Sequence, residues 1–66
     1  MKVVVNGKSC EYKGRLNVTR LLAQMGAFPG RVAVVVNGGV VSRNVHGSKF
    51  LKNGDMVEIL TYAGGG

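Results

Sequence analysis

The sequence closes on Gly64-Gly65-Gly66, directly behind the apolar run from Met56 to Tyr62. The chemistry available there belongs to the α-carboxyl of Gly66. With a pKa of about 3.5, it is a carboxylate at neutral pH. A carboxylate is a poor electrophile. It takes part in transfer only after a partner enzyme activates it, most simply as an acyl-adenylate made from ATP, from which a nucleophile displaces AMP. Glycine has no Cβ, so Gly64 and Gly65 can thread a narrow channel in almost any backbone conformation. Three extended residues reach about 10 Å, enough to enter a pocket while the domain stays outside.

The other reactive side chains form no comparable arrangement. Cys10 is the one cysteine and His46 the one histidine, far apart in sequence. Cys10 falls in a short strand-like stretch with no motif that would lower its pKa. His46 lies in the loop "NVHGS" and is expected at the surface. Together they cannot complete a structural zinc site, and no metal is expected. No residue is assigned a catalytic role, and the chain is expected to bind no cofactor itself.

Size and charge narrow the classes further. A chain of 66 residues is one domain at most. At this length folding buries only about 60% of the surface of the unfolded chain, which leaves little room for a deep active site. No apolar stretch approaches the roughly 20 residues that span a bilayer. The start "MKVVVNG" is too short for a signal-peptide core, and a single cysteine excludes an internal disulfide. The expectation is a cytoplasmic protein with no membrane partner. Nine Lys and Arg against three Asp and Glu give a net charge of +6. Such a charge suits a polyanion or an acidic protein surface. The basic residues are scattered, however, and only two Phe and two Tyr could stack on bases, so nucleic acid is not the expected partner.

The elements that must position the tail are punctuated by Asn-Gly pairs at Asn6-Gly7, Asn37-Gly38 and Asn53-Gly54. Asn-Gly tolerates the positive φ angles of tight hairpins. Lys2–Val5 and Lys8–Tyr12 around the first pair predict a β-hairpin. In "NVTRLLAQMG", Asn17 suits an N-cap and Gly26 a C-terminal stop, with Pro29 just beyond. Val18, Leu21, Leu22 and Met25 fall on one helical stripe. "RVAVVVNGG" predicts a central strand, because both of its faces are apolar. "VVS" predicts a short return strand. A loop follows, tied to the core by Val45, Phe50 or Leu51, and Met56–Tyr62 forms the last strand. The order β-β-α-β-β-β buries one helix on one sheet face. If the first and last strands pair in parallel, the result is an α+β fold, the β-grasp or ubiquitin-like roll. It would occupy residues 1–62, with 63–66 as a tail.

By strand periodicity, Val3, Val5, Val34, Val36, Val57 and Ile59 face the helix. Val4, Val35, Leu60 and Tyr62 then face the opposite side. An apolar patch on a solvated sheet face marks a candidate partner-docking surface.

Essentially the whole chain resembles the ThiS-type sulfur carrier proteins of thiamine biosynthesis. The resemblance is carried by "VNG" at 5–7, "VTRLL" at 18–22, "RVAVVVNGGVVSR" at 31–43, "LKNGDMVEIL" at 51–60 and the Gly tail. It implies that the Gly66 carboxylate is adenylylated by a ubiquitin-activating-type adenylyltransferase using ATP and magnesium. Sulfur from a cysteine desulfurase then replaces one oxygen, and the thiocarboxylate supplies sulfur to thiazole synthase. The chain would be a carrier and co-substrate rather than an enzyme. It departs from the family in its basic charge, and at Val35 and Gly39, where relatives often carry polar or acidic groups. Three other readings stay open at this level. They are sulfur delivery to molybdopterin or another pathway, a protein-conjugating modifier, and a small basic module that binds RNA.

Overall fold

The computed structural model describes residues 1–62. Its two hairpins form where the first two Asn-Gly pairs require them. Asn6 and Gly7 take φ of 51° and 79°, and Asn37 and Gly38 take 50° and 85°. Positive φ at both central residues matches the right-handed twist of the flanking strands. β1 (Lys2–Val5) therefore pairs antiparallel with β2 (Lys8–Glu11). In the same way β3 (Val32–Val36) pairs with β4 (Gly39–Val41).

The third pair behaves differently. Only Gly54 takes a positive φ, and the turn leads into β5 (Met56–Thr61) rather than closing a hairpin. Its side chain still works: Asn53 Oδ1 accepts the Lys2 N–H at 2.7 Å. β5 runs parallel to β1 and antiparallel to β3, giving the sheet order β2-β1-β5-β3-β4. The last strand thus lies at the centre of the sheet.

α1 (Val18–Met25) has the predicted bounds. The Asn17 side chain accepts the Arg20 N–H at 2.8 Å, and Gly26 closes the helix in the left-handed conformation. Leu16 and Leu21, both fully buried, occupy the N′ and N4 positions of a hydrophobic staple. Val18, Leu21 and Leu22 pack with Val3, Val5, Val34, Val36 and Val57 in one core. Met25, the fourth residue of the stripe, sits at the end of the helix and remains exposed.

The loop after β4 is anchored by Leu51, while Val45 and Phe50 are exposed. Backbone pairing explains that choice. Leu51 N–H donates to Leu16 C=O at 2.8 Å, and Val18 N–H donates to Lys49 C=O at 3.0 Å. One expectation needs correcting: His46 is buried, with 4% of its surface exposed. A short 3-10 turn (Arg43–Val45) folds the loop inward, and His46 Nε2 lies 3.3 Å from the Val41 carbonyl oxygen. This is a donor position when Nε2 carries the proton, and it satisfies a buried polar group. Among the described residues, no helix is long and apolar enough to cross a membrane.

Candidate functional site: the root of the tail and the outer sheet face

β5 carries the chain out of the fold. Its even-numbered residues turn their N–H groups toward β3, and the series ends with Tyr62 N–H donating to Arg31 C=O at 3.1 Å. That bond is the last described anchor before the glycines. Ala63, Gly64, Gly65 and Gly66 lie outside the described residues.

Three features fix the path of β5. Asn37 N–H donates to Met56 C=O at 2.7 Å, and its side-chain oxygen accepts the Met56 N–H at 2.9 Å. Asn6 N–H donates to Val57 C=O at 2.8 Å, and its side-chain oxygen accepts the Ile59 N–H at 2.8 Å. Asp55, just before the strand, accepts from Lys52 N–H at 2.8 Å and from the Asn37 amide at 3.0 Å. Partial burial alone would raise the Asp55 pKa. The Lys52 N–H, the Asn37 amide and the charges of Lys49 and Lys52 outweigh it and hold the carboxyl below its ordinary value.

The outer face alternates as strand geometry requires. Val4 and Val35 are half-buried, and Leu60 and Tyr62 are 52% and 60% exposed. Register decides which of them are neighbours. Val4 pairs with Met56, Val35 with Glu58 and Val40, and Leu60 with Ala33. The apolar surface is therefore a diagonal stripe rather than a round patch, with the Glu58 carboxylate beside its middle. Met56 and Val40, 60% and 77% exposed, extend it. Period-two alternation marks both residues as outward-facing, but their place beside Val4 and Val35 depends on register. An open depression of about 590 Å³ lies at the Met56 end, walled by the turns Asn6-Gly7 and Asn37-Gly38. Leu60 and Tyr62 occupy the other end, about 13 Å and about 20 Å from Met56 at the rise of a strand.

Cys10 is half-buried, and its thiol points at the Lys8 carbonyl oxygen 3.5 Å away. Burial, and secondarily the neighbouring Cys10 thiol, raise the pKa of Tyr12. Both groups pack against the core rather than on the outer stripe.

A mixed five-stranded sheet wrapped on one helix, with its last strand central and delivering the C-terminus, defines a β-grasp, or ubiquitin-like, domain. The chain belongs to the ThiS family, whose model matches residues 3–66. It is 40% identical to the thiamine biosynthesis protein ThiS of Geobacter metallireducens in a crystal structure, with a TM-score of 0.86 and full coverage of both chains. A solution structure of a thiamine biosynthesis protein from the same organism, also 40% identical, gives 0.79 over all of this chain and 88% of that one. The chain is further similar to proteins named thiazole synthase. Identity is 32% for the one from Paramagnetospirillum magneticum and 35% for the one from Magnetococcus marinus, each over 66 residues. The match covers all of this chain but only 20% of each of those proteins.

Proposed function

We propose that this protein is a sulfur carrier of thiamine biosynthesis and that its working group is the α-carboxylate of Gly66. A ubiquitin-activating-type enzyme joins that carboxylate to AMP, using ATP with magnesium and releasing pyrophosphate. The terminal sulfur of a desulfurase persulfide, taken from cysteine, then displaces AMP to form an acyl disulfide. A further thiol such as excess cysteine reduces that disulfide and leaves the C-terminus as a thiocarboxylate. Thiazole synthase takes the sulfur. The chain is a co-substrate of these enzymes rather than an enzyme. Gly64 and Gly65 thread the partner's active site, and the stripe from Val4 through Val35 to Leu60 and Tyr62 docks against the partner's surface.

The observation that carries this reading is the ThiS family match, which runs through residue 66 and so includes the glycine tail. The central position of β5 supports it mechanically. A strand paired on both sides is a firm base from which to present the residues that follow it. The likeness to a segment of proteins named thiazole synthase favours the thiazole branch over molybdopterin.

The test is intact-mass analysis after incubation with ATP, magnesium, the cognate activating enzyme, a cysteine desulfurase and cysteine. The expected product has one oxygen of Gly66 replaced by sulfur, and deleting Gly66 abolishes it. If the wild-type protein acquires neither adenylate nor sulfur, the carrier reading fails.

A further inference from the structure

Two arginines are set at the short turn that receives the end of β5, and they come from different segments. Arg31 is the residue whose carbonyl accepts the Tyr62 N–H, at 3.1 Å. Its guanidinium lies 5.9 Å from the centroid of the exposed Phe28 ring. Arg43 follows β4, yet its guanidinium rests against the backbone of the same short turn (Pro29–Arg31). A Cβ built on Gly30 would stand 3.2 Å from Arg43 Nη1 and 3.5 Å from its Cζ. Arg43 thus packs on Gly30, the residue before Arg31.

The carboxylates of the fold are placed elsewhere. Glu11 ends β2, Asp55 is engaged by Lys52 and Asn37, and Glu58 pairs with Val35. Glu58 therefore stands four residues along β5 from Tyr62, about 13 Å at the rise of a strand. The outer face is thus polar in a definite sense. Its tail end is basic, its middle carries one acid, and apolar side chains run between.

We propose that Arg31 and Arg43 form a basic rim at the exit of the tail that pairs with carboxylates bordering the tail channel of the activating enzyme. The inference rests on the carrier reading above and adds to it the chemistry of the partner's surface. Guanidinium groups meet carboxylates through paired, charge-assisted hydrogen bonds, which fix orientation as well as adding attraction. An apolar stripe alone lets the domain slide or rotate on its partner. A charged rim at one end sets which way the domain faces, and so aligns the glycines with the channel. Arg43 is already packed on Gly30, so it loses little freedom on docking. The net charge of +6 draws the chain toward an acidic partner before contact.

The test is a titration of the protein against the activating enzyme of its own organism, at ionic strengths of about 0.01 M and 0.15 M. The double variant Arg31→Glu/Arg43→Glu is expected to bind at least ~10-fold more weakly at low salt, with a flatter salt dependence. Lys8→Glu, on the edge strand β2, is the control for net charge and is expected to change affinity much less. Gly30→Ala keeps every charge and shifts the Arg43 guanidinium by only a few tenths of an ångström, and it is expected to change affinity little. Circular dichroism melts confirm that each variant is folded. The proposal is overturned if the double variant binds like the wild type, or if Lys8→Glu weakens binding as much as the double variant does. Adenylate formation on the wild type, followed by mass in the same samples, separates the two readings. Adenylation with no effect of the arginines refutes the rim alone, and absence of adenylation refutes the carrier.

Discussion

The side-chain oxygen of Asn6 accepts the backbone N–H of Ile59 at 2.8 Å, across 53 residues of sequence. β1 ends at Val5, so without this contact the β1-facing side of β5 would lose its backbone partner one step earlier. A turn residue chosen for its positive φ also lengthens the central ladder.

Asn6→Gly separates these two roles. Glycine keeps the positive φ at no steric cost but removes the bond to Ile59, and the expected loss is about 1 kcal/mol. Asn6→Ala loses the bond and also strains the turn, adding about 1–2 kcal/mol. Urea denaturation with an unchanged slope reads both values. Equal stability of Asn6→Gly and the wild type would show that water replaces Asn6 at Ile59 without loss.

Asp55 makes stability depend on pH at the acid end. Its folded-state pKa lies below the ordinary 3.8, because hydrogen bonds from Lys52 and Asn37 and the lysine charges outweigh burial. The unfolded chain therefore binds the proton first as pH falls. The contribution is fully present above 3.8 and is lost as pH drops through the folded-state value. Thermal melts of the wild type should fall away below that point, and Asp55→Asn should show a flatter acid limb. Parallel curves for the two proteins would remove Asp55 from the account.

Much of this was legible because short-range chemistry set it. Asn17 and Gly26 bound the helix as their capping preferences require. Two Asn-Gly pairs made hairpins, and alternation sorted the valines of β1 and β3 onto their faces. What the sequence could not give was contact between distant segments. Asn53-Gly54 has the same composition as the hairpin turns, but the strand that follows pairs with β1 and β3 instead of folding back. His46 is buried while Val45 is not, because a 3-10 turn folds the loop inward, and Leu51 is buried while Phe50 is not, because its backbone pairs with Leu16. Hydropathy would rank His46 below Val45 and Phe50, and it does not separate Leu51 from them. Arg31 and Arg43 are twelve positions apart, and Arg43 reaches the turn that holds Arg31 because β4 returns beside β3.

Leu60 tests the apolar half of the outer face. It is 52% exposed and pairs with Ala33, whose small side chain leaves it prominent near the root of the tail. Because it faces away from the core, Leu60→Glu should change folding stability by no more than about 0.5 kcal/mol. The same change places a charge where a partner's apolar surface is expected to close over it. A buried unpaired carboxylate is costly, so affinity for the activating enzyme should fall at least ~10-fold. Salt separates this loss from one caused by the arginines. A desolvated apolar contact is insensitive to ionic strength, whereas pairing at Arg31 and Arg43 weakens as salt rises. Leu60→Ala should therefore lower affinity by a similar factor at low and high salt, while the arginine variants converge on the wild type as salt rises. Unchanged affinity of Leu60→Glu in a folded protein would mean that the partner does not cover this end of the stripe. The tail would then be presented from another face of the sheet.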